Sequence, residues 1–350
     1  MAKTQTLRKP AQLRERGLLP AGPPGAIENV AARYAVAVPP ALAALIDRGA
    51  PEDPIARQFV PHIRELETQP HELADPIGDD AHSPVPGIVH RYPDRVLLKL
   101  TQICAVYCRF CFRRETVGKP GALDRAALAA ALDYIRSHAE IWEVILTGGD
   151  PLVLSARRLR EVMKALAAID HVKVIRIHTR VPVADPARVT AELVRAMKRK
   201  GKAVYVAVHV NHPRELSAAA RAAVARIADA GIPLLSQSVL LAGVNDTAEV
   251  MRGLMRALVE CRIKPYYLHH ADLAPGTSHL RTDIETGQTL MRDVRGHVSG
   301  LCQPTYVLDI PGGHGKSPIG PNYLERTGSN GAAHYVVADF NGGKHDYPPR

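Results

Sequence analysis

From about residue 95 onward, short apolar runs alternate with longer stretches that have a helical period. The runs are rich in Val, Ile and Leu, which is typical of buried strands, and they cover residues 96–100, 144–146, 172–177, 203–208, 234–241 and 265–269. The amphipathic stretches between and after them cover residues 125–138, 157–168, 187–198, 218–230 and 248–261. Successive strands recur about every 30 residues, the length of one βα unit. The pattern therefore predicts six βα units with a parallel sheet.

A parallel sheet of this kind either rolls into a partial barrel or stays open and doubly wound. Both arrangements place the active site beyond the carboxyl ends of the strands. The first ninety residues differ, because short helical patterns there alternate with proline-rich breaks at residues 20–24 and 84–86. The chain is thus predicted to comprise a helical lead-in (1–90), a region of βα units (91–270) and a C-terminal segment (271–350).

Composition and charge narrow the class of protein. The apolar fraction is 46% and the charged fraction 23%, which is ordinary for a globular protein. The net charge of +10 suits an anionic ligand, but the low aromatic content of 5% and the lack of interleaved basic and aromatic residues argue against nucleic acid. No apolar run is long enough to span a membrane, and the N-terminus lacks the apolar core of a signal peptide. We therefore expect a cytoplasmic protein.

Three of the five cysteines lie directly after the first predicted strand. Cys104, Cys108 and Cys111 form a C-x-x-x-C-x-x-C motif, whereas Cys261 and Cys302 are isolated in apolar contexts typical of a core. Three thiolates on a short loop can bind three irons of a [4Fe–4S] cluster and leave the fourth iron open. Structural zinc usually takes four ligands in two paired motifs, and no second C-x-x-C exists. Zinc completed by a histidine and incidental loop cysteines stay open as alternatives.

A T-G-G-D-P turn follows the second predicted strand and contains Gly148, Gly149 and Asp150. Gly-Gly and Asp-Pro are routine loop formers, so the turn is weak evidence by itself. Its position at the end of a strand increases its weight, because that edge of the sheet is where a ligand is expected.

A second glycine-rich segment, D-I-P-G-G-H-G-K-S, spans residues 309–317. It nearly matches the phosphate-binding loop G-x-x-x-x-G-K-[ST], but Ile310 stands at the first glycine position. Such a loop must also open a helix, and the S-P-I-G-P sequence that begins at Ser317 cannot propagate one. Lys316 is therefore predicted to lie on a flexible glycine-rich loop. Its amine is either solvated or held in position for carbonyl chemistry.

The cysteine triad, the GGDP turn and the D-x-P-G-G-x-G-K motif, in this order, resemble the lysine 2,3-aminomutase family of the radical S-adenosylmethionine superfamily. The resemblance runs from about residue 90 to about residue 323, roughly two-thirds of the chain. It implies an α/β fold with a partial (β/α)6 TIM-like barrel, a helical N-terminal extension and a short C-terminal segment that carries the lysine. It also implies a [4Fe–4S] cluster, S-adenosylmethionine and pyridoxal 5′-phosphate (PLP) as cofactors.

The resemblance gives cofactor roles to matching residues. Cys104, Cys108 and Cys111 would ligate the cluster, and Lys316 would bind PLP covalently through its amine. The contacts implied for S-adenosylmethionine are Gly148, Gly149, Asp150, His209 and Gln237. Arg91 and Arg95 match contacts of the PLP phosphate, with a generic basic pair as the alternative.

The resemblance also identifies residues that would bind the substrate. Arg113 matches an arginine that binds the substrate carboxylate, a task suited to a planar guanidinium. Asp272 and Asp309 match two carboxylates that hold the substrate's distal ammonium, because a cation needs counter-charge in a closed pocket. Glutamate-specific relatives would be expected to lose this acidic pair, so lysine is favoured as the substrate.

The implied reaction moves the α-amino group of L-lysine to carbon 3 to give β-lysine, through a 5′-deoxyadenosyl radical and PLP. One alternative is a short relative with the same chemistry that makes β-lysine for modification of a translation elongation factor. Alternatives of other classes are a basic, zinc-stabilised nucleic-acid-binding protein and a metal-independent PLP enzyme, which would leave the cysteine triad unexplained.

Partners follow from the same resemblance. The implied partners are L-lysine and an electron donor such as flavodoxin or ferredoxin, with no membrane and no nucleic acid. Larger family members hold a zinc ion between subunits, using a cysteine after a G-V-N-D turn and others near the C-terminus. Here Thr247 follows that turn and no cysteine follows Cys302. A homo-oligomer, if formed, is predicted to lack this zinc.

Overall fold

The computed structural model describes residues 5–19, 23, 25–119, 121–327 and 334–348. Its N-terminal part contains four short helices: α1 (Pro10–Glu15), α2 (Ala26–Arg33), α3 (Pro40–Ala43) and α4 (Pro54–Phe59). Their apolar side chains, among them Leu13, Leu42 and Phe59, form a core of their own that also includes Val106 of the cysteine segment. The predicted helical lead-in therefore packs directly on the cysteine loop.

A nine-stranded sheet forms the centre of the described part of the molecule, and its strands lie side by side in chain order. The strands are β1 (Ile88–Tyr92), β2 (Arg95–Thr101), β3 (Glu143–Gly148), β4 (Val174–Thr179), β5 (Ala203–His209), β6 (Leu234–Val239), β7 (Ile263–His269), β8 (Thr305–Ile310) and β9 (Gly315–Pro318). Strands β2 to β8 are parallel, and the two edge strands β1 and β9 are antiparallel to their neighbours. All six predicted strands are confirmed, and β8 adds a seventh parallel strand.

Helices connect the parallel strands. They are α5 (Arg125–Ser137), α6 (Ala156–Ala167), α7 (Val181–Ala184), α8 (Ala191–Met197), α9 (Ala218–Asp229), α10 (Ala248–Glu260) and α11 (Ile284–His297). In α10, Met251, Leu254, Met255 and Leu258 follow the spacing of one helical face and are fully buried. The helix predicted over 187–198 is instead a 3₁₀ turn followed by α8, because the Thr190 hydroxyl accepts from the backbone N–H of Leu193 and starts a new helix there.

The C-terminal residues form a separate small sheet. Its strands are β10 (Leu324–Thr327), β11 (His334–Ala338) and β12 (Lys344–Tyr347), which pair antiparallel. Both outer strands of this sheet are exposed. Lys316 precedes this sheet and belongs to β9 of the main sheet, so the lysine is part of the barrel wall.

No helix among the described residues is both long enough and apolar enough to cross a membrane.

The glycines of the GGDP turn are required by a close approach of two chain segments. Gly148 has a φ of +120°, and a Cβ on Gly149 would lie 2.3 Å from the carbonyl oxygen of Ile103. The backbone N–H of Asp150 donates to that same carbonyl at 2.9 Å. These contacts hold the turn after β3 against Ile103, the residue that immediately precedes Cys104. They thereby position the cysteine loop at the carboxyl edge of the sheet.

Candidate active site

A cavity of about 500 Å³ lies inside the curved main sheet, and each of the nine strands contributes to its wall. The wall residues include Arg91, Leu97, Ile145, His178, His209, Gln237, His269, Asp309 and Lys316, one from each strand in order. All fourteen residues to which the sequence analysis assigned a cofactor or substrate role line this cavity. Since one cavity touches every strand, the sheet is rolled into the predicted partial barrel.

The three cysteines of the motif are free thiols that face this cavity as mutual neighbours. Burial raises the pKa of each thiol, that of Cys111 to about 11, and the neighbouring Cys108 raises the pKa of Cys111 further. A metal centre that binds them must therefore displace their protons. Cys261 and Cys302 lie instead in the apolar core, outside the residues that line the cavity.

The geometry of the cysteines bears on the zinc alternative. Across the described residues, no three His, Cys, Asp or Glu side chains converge as they would around one metal ion. A zinc ion needs its ligands within about 2.3 Å of a single centre, whereas a [4Fe–4S] cluster takes each cysteine on a different iron. Three thiols that face one cavity can each bind a different iron of such a cluster.

A buried carboxylate attaches the cysteine loop to the N-terminal part. Glu65 is fully buried, and its carboxylate accepts from Arg109 at 2.5 Å and from Arg114. Arg109 also donates to the carbonyl of Ala35 at 2.8 Å. Because an unpaired charge would be costly at this depth, the three side chains hold one another in place around the cysteines.

Asp150 is engaged entirely by the protein. Its buried carboxylate accepts from the Thr179 hydroxyl at 2.7 Å and from the backbone N–H groups of Arg180, Val181 and Leu152 at 2.6, 3.2 and 3.0 Å. The side chain therefore joins the ends of β3 and β4, which explains its presence at this edge without a ligand. Its contact with S-adenosylmethionine stays a prediction.

Lys316 and Asp309 face each other across the β8–β9 pair. The register places the two residues opposite one another, and the Lys316 amine donates to Asp309 Oδ1 at 2.5 Å. His269 Nδ1 lies 3.5 Å from the other carboxylate oxygen. Burial acts to raise the pKa of Asp309, but His269 and Lys316 outweigh it and hold the pKa at about 2. Asp309 is thus an ionised carboxylate already in contact with an ammonium group.

Asp272 lies next to this pair without a partner of its own. Its Oδ1 is buried and makes no hydrogen bond among the described residues. Burial, together with the charge of Asp309, raises the pKa of Asp272 to about 7. Asp272 is therefore suited to bind a cationic group other than Lys316. Such a group would accept no proton from Asp272 but would donate to its free oxygen and favour its ionised form.

Arg113 and Arg91 share one buried carboxylate, Asp79, which the sequence analysis missed. Arg113 contacts Asp79 Oδ2 through Nε at 2.9 Å and through Nη2 at 2.8 Å, which leaves its outer edge toward the cavity. Arg91 Nη2 donates to Asp79 Oδ1 at 3.2 Å, while its buried Nε has no partner among the described residues. Arg95 stacks on the Tyr92 ring at 3.8 Å and pairs with Asp94.

The neighbouring strands β5 and β6 place His209 and Gln237 in register beside each other on the cavity wall. His209 is bonded to the side chain of Asn211 at 3.2 Å and packs against the Phe110 ring. Burial holds the pKa of His209 well below its usual range, so this imidazole is neutral. Both residues lie on the wall between the cysteine loop and the acidic pair.

Two further wall residues also escaped the sequence analysis. Arg180 directly follows β4 and donates to the Cys108 sulfur at 3.3 Å. His178, two residues earlier, has a buried Nε2 that is unpartnered among the described residues. The position of both at the carboxyl end of a parallel strand was a usable indication, because that edge is where functional side chains collect.

Comparisons with known proteins identify the family of this chain. A profile of the Radical SAM superfamily matches residues 98–252, and one described as lysine-2,3-aminomutase matches residues 291–349. An L-lysine 2,3-aminomutase of Acetoanaerobium sticklandii is 46% identical over 83% of this chain and 70% of its own length. That of Clostridium subterminale is 43% identical with the same coverage of both chains. The chain belongs to the lysine 2,3-aminomutase family.

The family also includes enzymes that act on another amino acid. A glutamate 2,3-aminomutase of Clostridioides difficile is 38% identical over 87% of this chain and 72% of its own length. Membership in the family therefore establishes the class of reaction, that of a radical S-adenosylmethionine isomerase. It does not by itself identify the amino acid that is the substrate.

The cofactors of the lysine 2,3-aminomutase family are a [4Fe–4S] cluster, S-adenosylmethionine and PLP, and the residues present fit them. Three free thiols face one cavity, and Lys316 presents its amine to the same space. The unpartnered Nε of Arg91 and the partly exposed guanidinium of Arg95 supply cationic groups suited to a phosphate.

We expect Cys108→Ala to abolish cluster binding and Cys261→Ala to retain it, because Cys108 faces the cavity and Cys261 lies in the apolar core. Iron and sulfide content after anaerobic reconstitution, with the visible spectrum, measures this directly. Cys261→Ala serves as the matched control for loss of a thiol. Full iron content in the Cys108 variant would contradict the assignment.

Proposed function

We propose that this protein is an L-lysine 2,3-aminomutase, which converts L-lysine to β-lysine. The observation that carries the proposal is the charge arrangement of the cavity, in which Asp272 and Asp309 lie beside Lys316, while Arg113 lines the same space. An amino acid with a cationic side chain has complementary charges at its two ends.

The acidic pair supports lysine over glutamate. Asp309 already binds one ammonium, that of Lys316, and Asp272 has a buried oxygen without a partner in the described part of the chain. A glutamate side chain would bring a third carboxylate to this position, and like charges in a buried site repel strongly. Lysine would instead neutralise the site.

At the other end, Arg113 would bind the α-carboxylate of the substrate. Asp79 occupies its Nε side, so the guanidinium is held at a fixed angle with the opposite edge available. A guanidinium fixed in this way can bind a carboxylate through two parallel hydrogen bonds. The two ends of lysine would thereby fix the position of carbon 3 within the cavity.

When bound, the cluster and S-adenosylmethionine would supply a radical for hydrogen removal at carbon 3, and PLP would hold the migrating amino group. Cys104, Cys108 and Cys111 would hold the cluster, and Lys316 would bind PLP. The Lys316 backbone N–H donates to the Tyr92 hydroxyl at 2.7 Å, which ties the lysine to strand β1. The chain itself contributes orientation and the exclusion of water from the barrel interior.

The remaining expectations concern partners and location. Reduction of the cluster calls for a one-electron donor protein such as flavodoxin or ferredoxin. We also propose that the enzyme acts in the cytoplasm and that any homo-oligomer forms without a zinc ion between subunits.

The decisive assay is anaerobic incubation of the reconstituted protein with L-lysine, PLP, S-adenosylmethionine and dithionite, followed by chromatography with mass detection. We expect β-lysine, and no product when any one cofactor is omitted. L-Glutamate in a parallel reaction should give no β-glutamate. Formation of β-glutamate, or absence of β-lysine from a protein loaded with cluster and PLP, would contradict the substrate assignment.

Binding of lysine should strengthen as pH rises from 6 to 8. Asp272, with its pKa near 7, is mostly neutral at pH 6 and mostly ionised at pH 8, whereas the ε-ammonium of lysine is charged throughout. One carboxyl that titrates over this range gives a change of about tenfold in the dissociation constant. The absorbance of bound PLP during lysine titration, without S-adenosylmethionine, reports this binding.

The isosteric variant Asp272→Asn is the control for that experiment. It should bind lysine more weakly at pH 8 and lose most of the dependence on pH, because the amide does not titrate. A variant that kept the parental pH profile would assign the titration to another group.

A further inference from the structure

We propose that Arg180 sets the reduction potential of the cluster, acting as a buried cation hydrogen-bonded to one of its cysteine ligands. Arg180 Nη1 donates to the Cys108 sulfur at 3.3 Å. Among the described residues, this is the guanidinium with a hydrogen bond to a cysteine of the motif. The inference rests on the cluster that family membership implies and is independent of the substrate.

The environment of Arg180 makes its charge effective. The side chain is buried at 6% exposure and lies over the rings of Phe59 and Phe110, at 4.7 and 5.4 Å from their centroids. Water is excluded on these sides, so the charge is poorly screened at the short distance to Cys108. The same charge on an exposed side chain would act weakly.

Two acceptors fix the orientation of the guanidinium. Nη2 donates to Glu215 Oε2 at 2.5 Å and to Gln58 Oε1 at 2.8 Å. Glu215 is itself held, because its Oε1 accepts from the backbone N–H groups of Asn211 and His212, both at 2.9 Å. With Nη2 committed to these partners, Nη1 is directed at the sulfur.

The physical consequence follows from the charge change on reduction. A cluster that accepts one electron gains negative charge, part of which lies on its sulfur ligands. A cationic N–H donor to such a sulfur stabilises the reduced form more than the oxidised form, and hydrogen bonds and net charge are the means by which proteins tune these potentials. Arg180 therefore makes the cluster easier to reduce.

A purely structural role for Arg180 would predict something different. The salt bridge with Glu215 and the bond to Gln58 connect three distant segments, and they could serve to pack the loop alone. The two roles give different predictions for variants that keep Arg180 and change the charge of a residue in contact with it. A tuning role predicts a shift whose sign follows the sign of the charge change, whereas a packing role does not.

The test is an anaerobic redox titration of the reconstituted protein, with electron paramagnetic resonance of the reduced cluster as readout and no substrate present. We expect Arg180→Gln to lower the ratio of reduced to oxidised cluster at a fixed potential by about tenfold, which equals 59 mV for a one-electron couple. Gln58→Glu, which adds a negative charge beside Arg180, should shift the ratio in the same direction. Glu215→Gln, which removes one, should shift it in the opposite direction.

Arg226→Gln is the control for loss of one positive charge, since Arg226 is exposed on α9 and donates to the Val189 carbonyl outside the cavity. Its potential should equal that of the parent. Iron and sulfide content normalises every sample. If Arg180→Gln binds no cluster, the opposite shifts of Gln58→Glu and Glu215→Gln still decide the matter.

Equal potentials in all variants with full iron content would overturn the proposal. So would shifts of the same sign in Gln58→Glu and Glu215→Gln, or loss of the cluster from all three variants despite parental melting temperatures, because these results would assign the residues to loop packing. None of these measurements requires lysine, so a failed substrate assignment would leave this test intact.

Discussion

The pairing of β9 with β8 is the constraint on which the site depends. Because β9 turns back antiparallel, its register brings Lys316 opposite Asp309, and both side chains enter the barrel. A shift of one residue would turn the lysine to the outside of the barrel, since side chains alternate along a strand. The glycine-rich turn between the strands thus allows the register that places the Lys316 amine beside the Asp309 carboxylate. Both groups line the cavity that the cysteine loop also lines.

Buried ion pairs surround this cavity, and in two of them one carboxylate binds two guanidinium groups. Glu65 binds Arg109 and Arg114 behind the cysteine loop, and Asp79 binds Arg91 and Arg113. Asp272 differs from these groups, with a buried oxygen that has no partner in the described part of the chain. This buried acceptor is where the proposed function places the cationic end of the substrate.

Local sequence pattern was sufficient to predict much of the main sheet and the cysteine triad of the candidate site. The six strands between residues 95 and 269 were predictable because buried parallel strands are continuous apolar runs, and the cysteine triad was recognisable from spacing. Strands β1 and β9 were not predictable, because β1 is half polar and β9 is a four-residue edge strand that contains a proline. Arg180 and Asp79 were missed because their partners come from remote segments, and Gln58 and Arg180 are 122 residues apart in the chain. Spacing motifs report local geometry, while the supporting charges depend on the tertiary fold.

We propose that Lys316 is the residue that joins PLP to the barrel beside the cluster. Borohydride reduction of the PLP-loaded protein makes the covalent link permanent, and peptide mapping by mass spectrometry then locates the modified lysine. We expect modification of Lys316, in preparations with or without the cluster. The nearest competitor is Lys99, which lines a neighbouring cavity and whose pKa is lowered by burial, a condition that favours reaction with an aldehyde. Modification of Lys99, or of any lysine other than Lys316, would rule out this role for Lys316.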